Sequence, residues 1–311
     1  MENITLLLRK AMSQYHNPVL LHDSVDALEI REDGTYVDVT FGGGGHSSEI
    51  LNRLGPDGRL LAFDQDPDCL KDKIQDERFQ FIPSNFRNLK KFLQYYKAWP
   101  VNGILADLGV SSYQLDTPGR GFSYRYDGSL DMRMNPGKGI TAFDVVNQYT
   151  ENKLTEIFYS YGELSQARRV ARKIIEFRQE KQIATTFELV DVVTPLFPAN
   201  KVNKSLSQLF QAIRIEVNGE LEVLKEFLLQ TPEALAPQGR LVIISYHSLE
   251  DRLVKNFLRS GNFTGEVEKD FFGNPITPFQ LISRKALLSG EEEIRENSRA
   301  RSAKLRIAEK R

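Results

Sequence analysis

Four consecutive glycines, Gly42-Gly43-Gly44-Gly45, stand between a strand-like segment, Tyr36-Val37-Asp38-Val39, and a helix-like one from Ser47 to Leu54, flanked by Thr40-Phe41 and His46. A strand that turns sharply into a helix through residues without Cβ atoms lets a ligand lie against bare amides at the helix start. The following strand, Arg59-Leu60-Leu61-Ala62-Phe63, ends in Asp64. A carboxylate about 20 residues beyond such a loop is where a ribose hydroxyl pair is gripped. Together these features predict a nucleoside-cofactor site. The dinucleotide fingerprint needs glycine at the first, third and sixth loop positions, and counting from Gly42 or Gly43 puts Ser47 or Ser48 at the sixth. The pyrophosphate of NAD or FAD is therefore poorly provided for, and S-adenosylmethionine, an adenosine without phosphates, fits better.

Strands and helices alternate through the first third, with Phe79-Gln80-Phe81-Ile82 and Gly103-Ile104-Leu105-Ala106 following the two strands above. This predicts an α/β fold with an open parallel sheet. The next convincing strand, Leu241-Val242-Ile243-Ile244, comes more than a hundred residues later, where one crossover helix would have sufficed. Residues 114–205 are therefore expected to form an inserted all-helical substrate-recognition domain, with 1–113 and 206–311 making up a discontinuous cofactor-binding domain. Its helical periodicity shows in Leu154, Ile157, Phe158 and Tyr161, and in Val170, Ile174 and Phe177. An insert after the fourth strand would lie at the carboxyl edge of the sheet, where ligands of open α/β sheets bind.

Composition narrows the function without choosing it. The 311 residues carry a formal net charge of -1, so any nucleic-acid surface must be local. A single cysteine, Cys69, excludes an internal disulfide and a thiolate cluster, and His16, His22, His46 and His247 have no metal-ligand spacing, so no metal is expected. The apolar run in Met1–Lys10 is too short for a signal-peptide core or membrane span and reads as an N-terminal helix. A cytoplasmic protein without a membrane partner is the expectation, and a homodimer is left open.

Two further loops carry chemistry. Asp107 ends the fourth strand and is followed by Leu108-Gly109-Val110-Ser111-Ser112. Its carboxylate or the Leu108 carbonyl could accept a proton, with Ser111 and Ser112 shaping a pocket; the plainer reading is that Asp107 caps a turn. After the fifth strand, Ser245-Tyr246-His247-Ser248-Leu249-Glu250-Asp251-Arg252 contains Ser248 and Asp251 at the spacing of a helix capping box. His247 is either an active-site helper or a structural hydrogen-bonding residue. Phe86, after the third strand, either stacks on an adenine or fills the core. For RNA, Arg120-Gly121-Phe122-Ser123-Tyr124-Arg125-Tyr126 interleaves cations and aromatics as a base-stacking surface would. Arg168, Arg169 and Arg172 fall within about one helical turn. The tail from Ile294 holds seven basic residues against Glu296 and Glu309, with Arg299 and Arg301 as RNA contacts, although Lys304-Leu305-Arg306-Ile307 could instead complete the sheet.

These motifs, with His16-Asn17-Pro18, Asp64-Gln65-Asp66-Pro67, Leu130-Asp131-Met132-Arg133-Met134, Phe210-Gln211-Ala212-Ile213-Arg214 and Ser298-Arg299-Ala300-Arg301, resemble the ribosomal RNA small-subunit methyltransferase H family, also called MraW, from about residue 15 to the end. The resemblance implies a Rossmann-like class I methyltransferase that uses S-adenosylmethionine to methylate the exocyclic N4 of a cytidine in the decoding region of bacterial small-subunit (16S) rRNA, within a small ribosomal subunit or late precursor. It implies cofactor contacts at Gly44, Gly45, His46, Asp64, Phe86, Asp107 and Gln114. Two departures stand out: Gly43 occupies a position that is arginine in some relatives, and Tyr161-Gly162-Glu163-Leu164 lacks a second acidic residue. The alternatives are a catalytically silent RNA-binding or ribosome-assembly factor with the same fold, and an NAD-dependent dehydrogenase, which the missing third glycine disfavours.

Overall fold

The computed structural model describes residues 18–72 and 74–311; the helix expected at 1–10, and His16 and Asn17, lie outside these. The chain divides into two compact units, one formed by the chain up to Gly109 together with Glu222–Arg311, the other by Val110–Leu221.

The first unit is built on a seven-stranded sheet of order β3-β2-β1-β4-β5-β7-β6. Its strands are β1 (Thr35–Asp38), β2 (Arg59–Phe63), β3 (Phe79–Ile82), β4 (Val101–Asp107), β5 (Leu235–Ser245), β6 (Phe279–Leu281) and β7 (Lys304–Lys310). Strands β1 to β5 pair in parallel, and β7 runs antiparallel between β5 and β6. This is the Rossmann-like arrangement of a class I methyltransferase. The end of the tail is thus sheet: Lys304 and Arg306 reach Asp251 at 3.2 and 2.6 Å, so the RNA contact expected there narrows to half-buried Arg299 and exposed Arg301.

Period-two alternation gives the sheet two buried faces. Val37, Leu61, Ile104, Ala106, Leu241 and Ile243 belong to the core on one side, with α3 (Leu89–Tyr95) and α10 (Glu220–Ala234) supplying Leu89, Leu93, Leu224 and Phe227. Tyr36, Leu60, Leu105, Val242 and Ile244 belong to the other, packed with Ile50 and Leu51 of α2 (Gly45–Arg53), with Leu54 just after it, and with Val25 of α1 (Leu21–Asp26). By the same alternation Asp38, Asp107 and Tyr246 point to this second face, at the carboxyl ends of three adjacent strands. In the register Asp38↔Leu105 and Asp107↔Ile244, Asp107 lies two residues past the partner of Asp38, and Tyr246 two residues past the partner of Asp107.

The second unit contains α4 (Ser112–Asp116), α5 (Ala142–Gln148), α6 (Glu151–Ser160), α7 (Ala167–Arg178), α8 (Thr186–Val193) and α9 (Val202–Asn218), with one isolated bridge between Ser129 and Thr185. Its own core includes Leu154, Ile157, Phe158, Val170, Ile174, Leu189, Leu209, Phe210 and Ile213. The junctions fall after Gly109 and Leu221, not at 113/114 and 205/206. The reason lies in α9, which buries Leu206, Leu209, Phe210 and Ile213 in this core and cannot be divided at 205. Among the described residues no helix is long and apolar enough to cross a membrane.

Candidate active site

The glycine loop is shaped by close packing on one side and open space on the other. Gly42 and Gly44 have φ of 52° and 80°, the left-handed region that favours glycine. A Cβ on Gly44 would lie 2.9 Å from Phe41 Cζ, and one on Gly45 would lie 2.2 Å from Pro18 Cγ, whereas at Gly43 it would meet nothing within 4 Å. Gly43 is therefore the one loop glycine without a local steric requirement, so a side chain would fit there. The Gly44 amide donates to the Phe41 carbonyl at 2.7 Å. It closes the turn, so the ligand contact expected of Gly44 is not made by its N–H.

Asp64 leaves β2 half-buried, with Oδ2 accepting the Gly42 amide and Oδ1 the Asp66 amide, both at 2.8 Å. The Cys69 thiol donates to it as well, yet burial dominates and raises its pKa. A carboxylate offers about four acceptor directions; the three donors leave capacity for one further hydroxyl rather than the expected pair. Asp64 thus ties the glycine loop to β2 as well as facing a ligand. Phe86 is half-buried and meets Phe227 edge to face at 5.3 Å, so one side of its ring belongs to the core.

The chemistry concentrates around Asp107. Its Oδ1 accepts the Tyr246 hydroxyl at 2.7 Å, and its Oδ2 lies 3.9 Å from Nδ1 of buried His46. The backbone amide of Asp107 donates to Thr40 Oγ1 at 2.6 Å. His46 Nε2 lies 3.3 Å from the Val19 carbonyl; a carbonyl only accepts, so that nitrogen carries the proton and Nδ1 is the one turned to Asp107. Fully buried Asp38 completes the cluster, accepting Ser47 Oγ at 2.7 Å and the Thr40 amide at 3.0 Å. Burial raises Asp38, against the pull of His46, Ser47 and Thr40. Burial likewise pushes Asp107 up to about 6, opposed by His46 and the Tyr246 hydrogen bond and reinforced by the charges of Asp38 and Glu250. The Asp107 side chain remains 22% exposed, so a proton can still reach it. Tyr246, on which burial and the neighbouring Asp107 raise the pKa, stays a donor.

Other expected site residues are placed differently. His247, not Ser248, is the N-cap of α11 (Ser248–Ser260), its side chain accepting the Glu250 amide, while the Glu250 carboxylate takes the Tyr246 amide at 3.0 Å. His247 Nε2 is buried 3.2 Å from Glu250 Oε1 without the alignment of a hydrogen bond. The capping pair is therefore one residue earlier than Ser248 and Asp251, and the His247 ring caps its own helix. In the second unit, Ser111 caps α4 in a capping box with Gln114, whose buried side chain accepts the Ser111 amide at 3.0 Å; Ser112 is the first residue of that helix. Ser111 and Gln114 thus shape their own helix start.

Arg120 is buried, donates to the Arg133 and Met134 carbonyls at 2.9 and 3.1 Å, and stacks over Phe122, so it supports its loop and is not a surface RNA contact. Arg125 is exposed. Arg168, Arg169 and Arg172 all lie on the solvent side of α7, opposite buried Val170, Ala171 and Ile174.

Asp38, Ser47, Thr40 and Tyr246 had no assigned role in the sequence. The signal that finds Asp38 and Tyr246 is strand alternation, which puts 38, 107 and 246 on one face.

Comparison with known proteins agrees with this geometry. The family model of the MraW methylase family matches residues 13–311. "Ribosomal RNA small subunit methyltransferase H" of Christiangramia forsetii is 56% identical over 299 residues, covering 96% of this chain and 99% of the relative. The protein of the same name from Bacteroides fragilis is 55% identical, covering 97% and 100%, and that from Flavobacterium johnsoniae is 57% identical, covering 96% and 98%. With its glycine loop, its Asp107 cluster and full-length similarity of this order, the chain belongs to the MraW methylase family.

Proposed function

We propose that the protein transfers a methyl group from S-adenosylmethionine to the exocyclic N4 of a cytidine in the decoding region of small-subunit rRNA. The observation that carries this reading is the Asp107 carboxylate: at a strand end beside the glycine loop, oriented by Tyr246, 3.9 Å from His46, partly exposed, with a pKa raised to about 6. The residues present fit the cofactor, since the loop is open at Gly43 and Asp64 retains an acceptor direction for a ribose hydroxyl. Gly45, Asp64, Phe86 and Asp107 would hold it, and Gln114 keeps the cofactor role that the family resemblance implies. When bound, S-adenosylmethionine supplies a methyl group activated by its sulfonium, so no metal or strong base is required.

The chain's own task is geometry and proton handling. A cytosine amine is a poor nucleophile because its lone pair is delocalised into the ring, and an acceptor on its N–H localises that pair. An ionised Asp107 is such an acceptor, and a pKa near 6 lets it take the proton as the new N–C bond forms. Reaching N4 requires the base to leave its stack, at about a few kcal/mol. The exposed cations Arg125, Arg168, Arg169 and Arg172 supply phosphate contacts for that RNA. We place the reaction in the cytoplasm, on a small ribosomal subunit or its late precursor; a reducing compartment suits the single, buried Cys69.

Mass spectrometry of small-subunit rRNA nucleosides tests this. Cells lacking the gene should lose an N4-methylated cytidine that the parent gene restores. An unchanged nucleoside profile would instead favour an assembly factor that retains the fold.

A further inference from the structure

In the first unit the chain between α11 and β6 doubles back on itself through an antiparallel bridge between Lys269 and Pro275. The turn is held by hydrogen bonds centred on Asp270. Asp270 N–H donates to the Asn274 carbonyl at 2.9 Å and Gly273 N–H to the Asp270 carbonyl at 3.0 Å. The Asp270 carboxylate accepts the Phe272 and Asn274 amides at 2.9 and 2.8 Å and the Asn274 side-chain amide at 3.1 Å. At its tip Phe271 is 97% exposed and Phe272 85% exposed, their rings edge to face at 5.6 Å. Leaving a phenylalanine in water forgoes about 1.5 to 3 kcal/mol of burial, and the same unit fully buries Phe63, Phe227, Phe257 and Phe279. Val267 and Ile276, on the two arms of the turn, are exposed as well. A preorganised turn that presents two bare rings has little ordering entropy left to lose on binding.

The sign of the surrounding charge selects the partner. Residues 266 to 276 are all exposed and carry Glu266, Glu268 and Asp270 against the single cation Lys269. Two exposed rings on a basic arm would suit stacking on unpaired bases, but an acidic arm is repelled by phosphates and attracted to a basic protein surface. We propose that the Phe271-Phe272 turn docks into an apolar socket on a basic protein of the ribonucleoprotein particle that carries the target RNA. This rests on the function proposed above. It implies that the protein recognises an assembled particle through a contact made to protein, separate from its grip on RNA.

The test uses the full chain with two double variants, Phe271→Ser with Phe272→Ser and Glu266→Lys with Glu268→Lys. Binding to assembled small subunits and to protein-free small-subunit rRNA is measured for each, together with methyl transfer. The phenylalanine variant should lose about tenfold or more in affinity for the assembled subunit and change by less than about twofold on protein-free RNA. The charge reversal should weaken binding to the assembled subunit. Equal losses on both ligands, or tighter binding after charge reversal, would assign the tip to RNA and overturn the proposal. Unchanged affinity for the subunit would overturn it too, whether or not the phenylalanine variant dissociates a self-associated form, as would a parent protein that does not bind the subunit. A parent that binds the subunit but transfers no methyl group would contradict the proposed function while leaving the docking result to be read from binding alone. Both variants lie on an exposed turn, and unchanged thermal unfolding checks that neither disturbs the fold.

Discussion

The Tyr246 hydroxyl donates to Asp107 Oδ1 across 2.7 Å, joining the carboxyl ends of β5 and β4. The bond favours the ionised carboxylate against the burial that raises its pKa to about 6. Removing it should move that value further up. For Tyr246→Phe, loss of a hydrogen bond to a charged group, about 1.5 kcal/mol, corresponds to roughly one pH unit. The methyl-transfer rate of the parent should rise with pH through about 6 and level off above it. In the variant the rising limb should shift to higher pH, with near-parental rates at alkaline pH. A single-turnover pH profile checks this, and a limb that stays in place would separate Tyr246 from the chemistry.

Asp64→Ala should weaken S-adenosylmethionine binding by about 1 to 3 kcal/mol. Because Asp64 also accepts the Gly42 and Asp66 amides, the same change should lower thermal stability, and Asp64→Asn, which keeps an acceptor oxygen, should recover part of both. Calorimetric titration with unchanged affinity in a folded Asp64→Ala protein would remove the carboxylate from the cofactor site.

The arginines should separate into two classes. Arg168→Ala with Arg172→Ala should leave stability and cofactor affinity intact but weaken RNA binding most at low salt. Two lost phosphate contacts lower the slope of log K against log salt by about 1.5. Arg120→Ala, which strips donors from the Arg133 and Met134 carbonyls, should instead destabilise the second unit by about 1 to 3 kcal/mol. Salt titrations beside thermal melts distinguish the two.

Asp251 ties α11 to β7 by accepting Arg306 Nε at 2.6 Å and Lys304 Nζ at 3.2 Å. These cations hold its carboxyl below the ordinary value despite burial. A depressed carboxyl stabilises the fold above its unfolded pKa of about 3.9 and loses that contribution as pH falls through the folded value. Asp251→Asn should therefore be less stable than the parent by about 1 to 3 kcal/mol at neutral pH, and the gap should close in strong acid. Denaturant unfolding at both pH values measures it.

The parts of this site legible in the sequence are those that local pattern specifies. Asp64 and Asp107 each terminate an apolar strand, and the glycines occupy the turn between a strand and a helix, so their positions follow from chain order. Tyr246 was hidden for a different reason: its partner Asp107 is 139 residues away, and only the sheet register brings the two together. Arg120 is not legible in the same way, because a loop rich in glycine, arginine and tyrosine looks alike whether its guanidinium faces phosphate or backbone carbonyls. His247 and Ser248 are both competent caps, and the Glu250 contacts decide between them. The second unit extends past 205 because α9 runs unbroken from Val202 to Asn218, and its apolar face reveals which core it joins only once that core exists.

The account turns on Asp107 as the proton acceptor in methyl transfer, and single-turnover kinetics at saturating S-adenosylmethionine test it most directly. With small-subunit RNA as substrate, Asp107→Asn keeps the shape of the side chain and its contact with Tyr246 but cannot take the proton from N4. The rate of N4-methylcytidine formation should fall by ~10²-fold or more. A rate within about threefold of the parent, less than 1 kcal/mol in the barrier, would contradict the account and leave Asp107 a binding residue only.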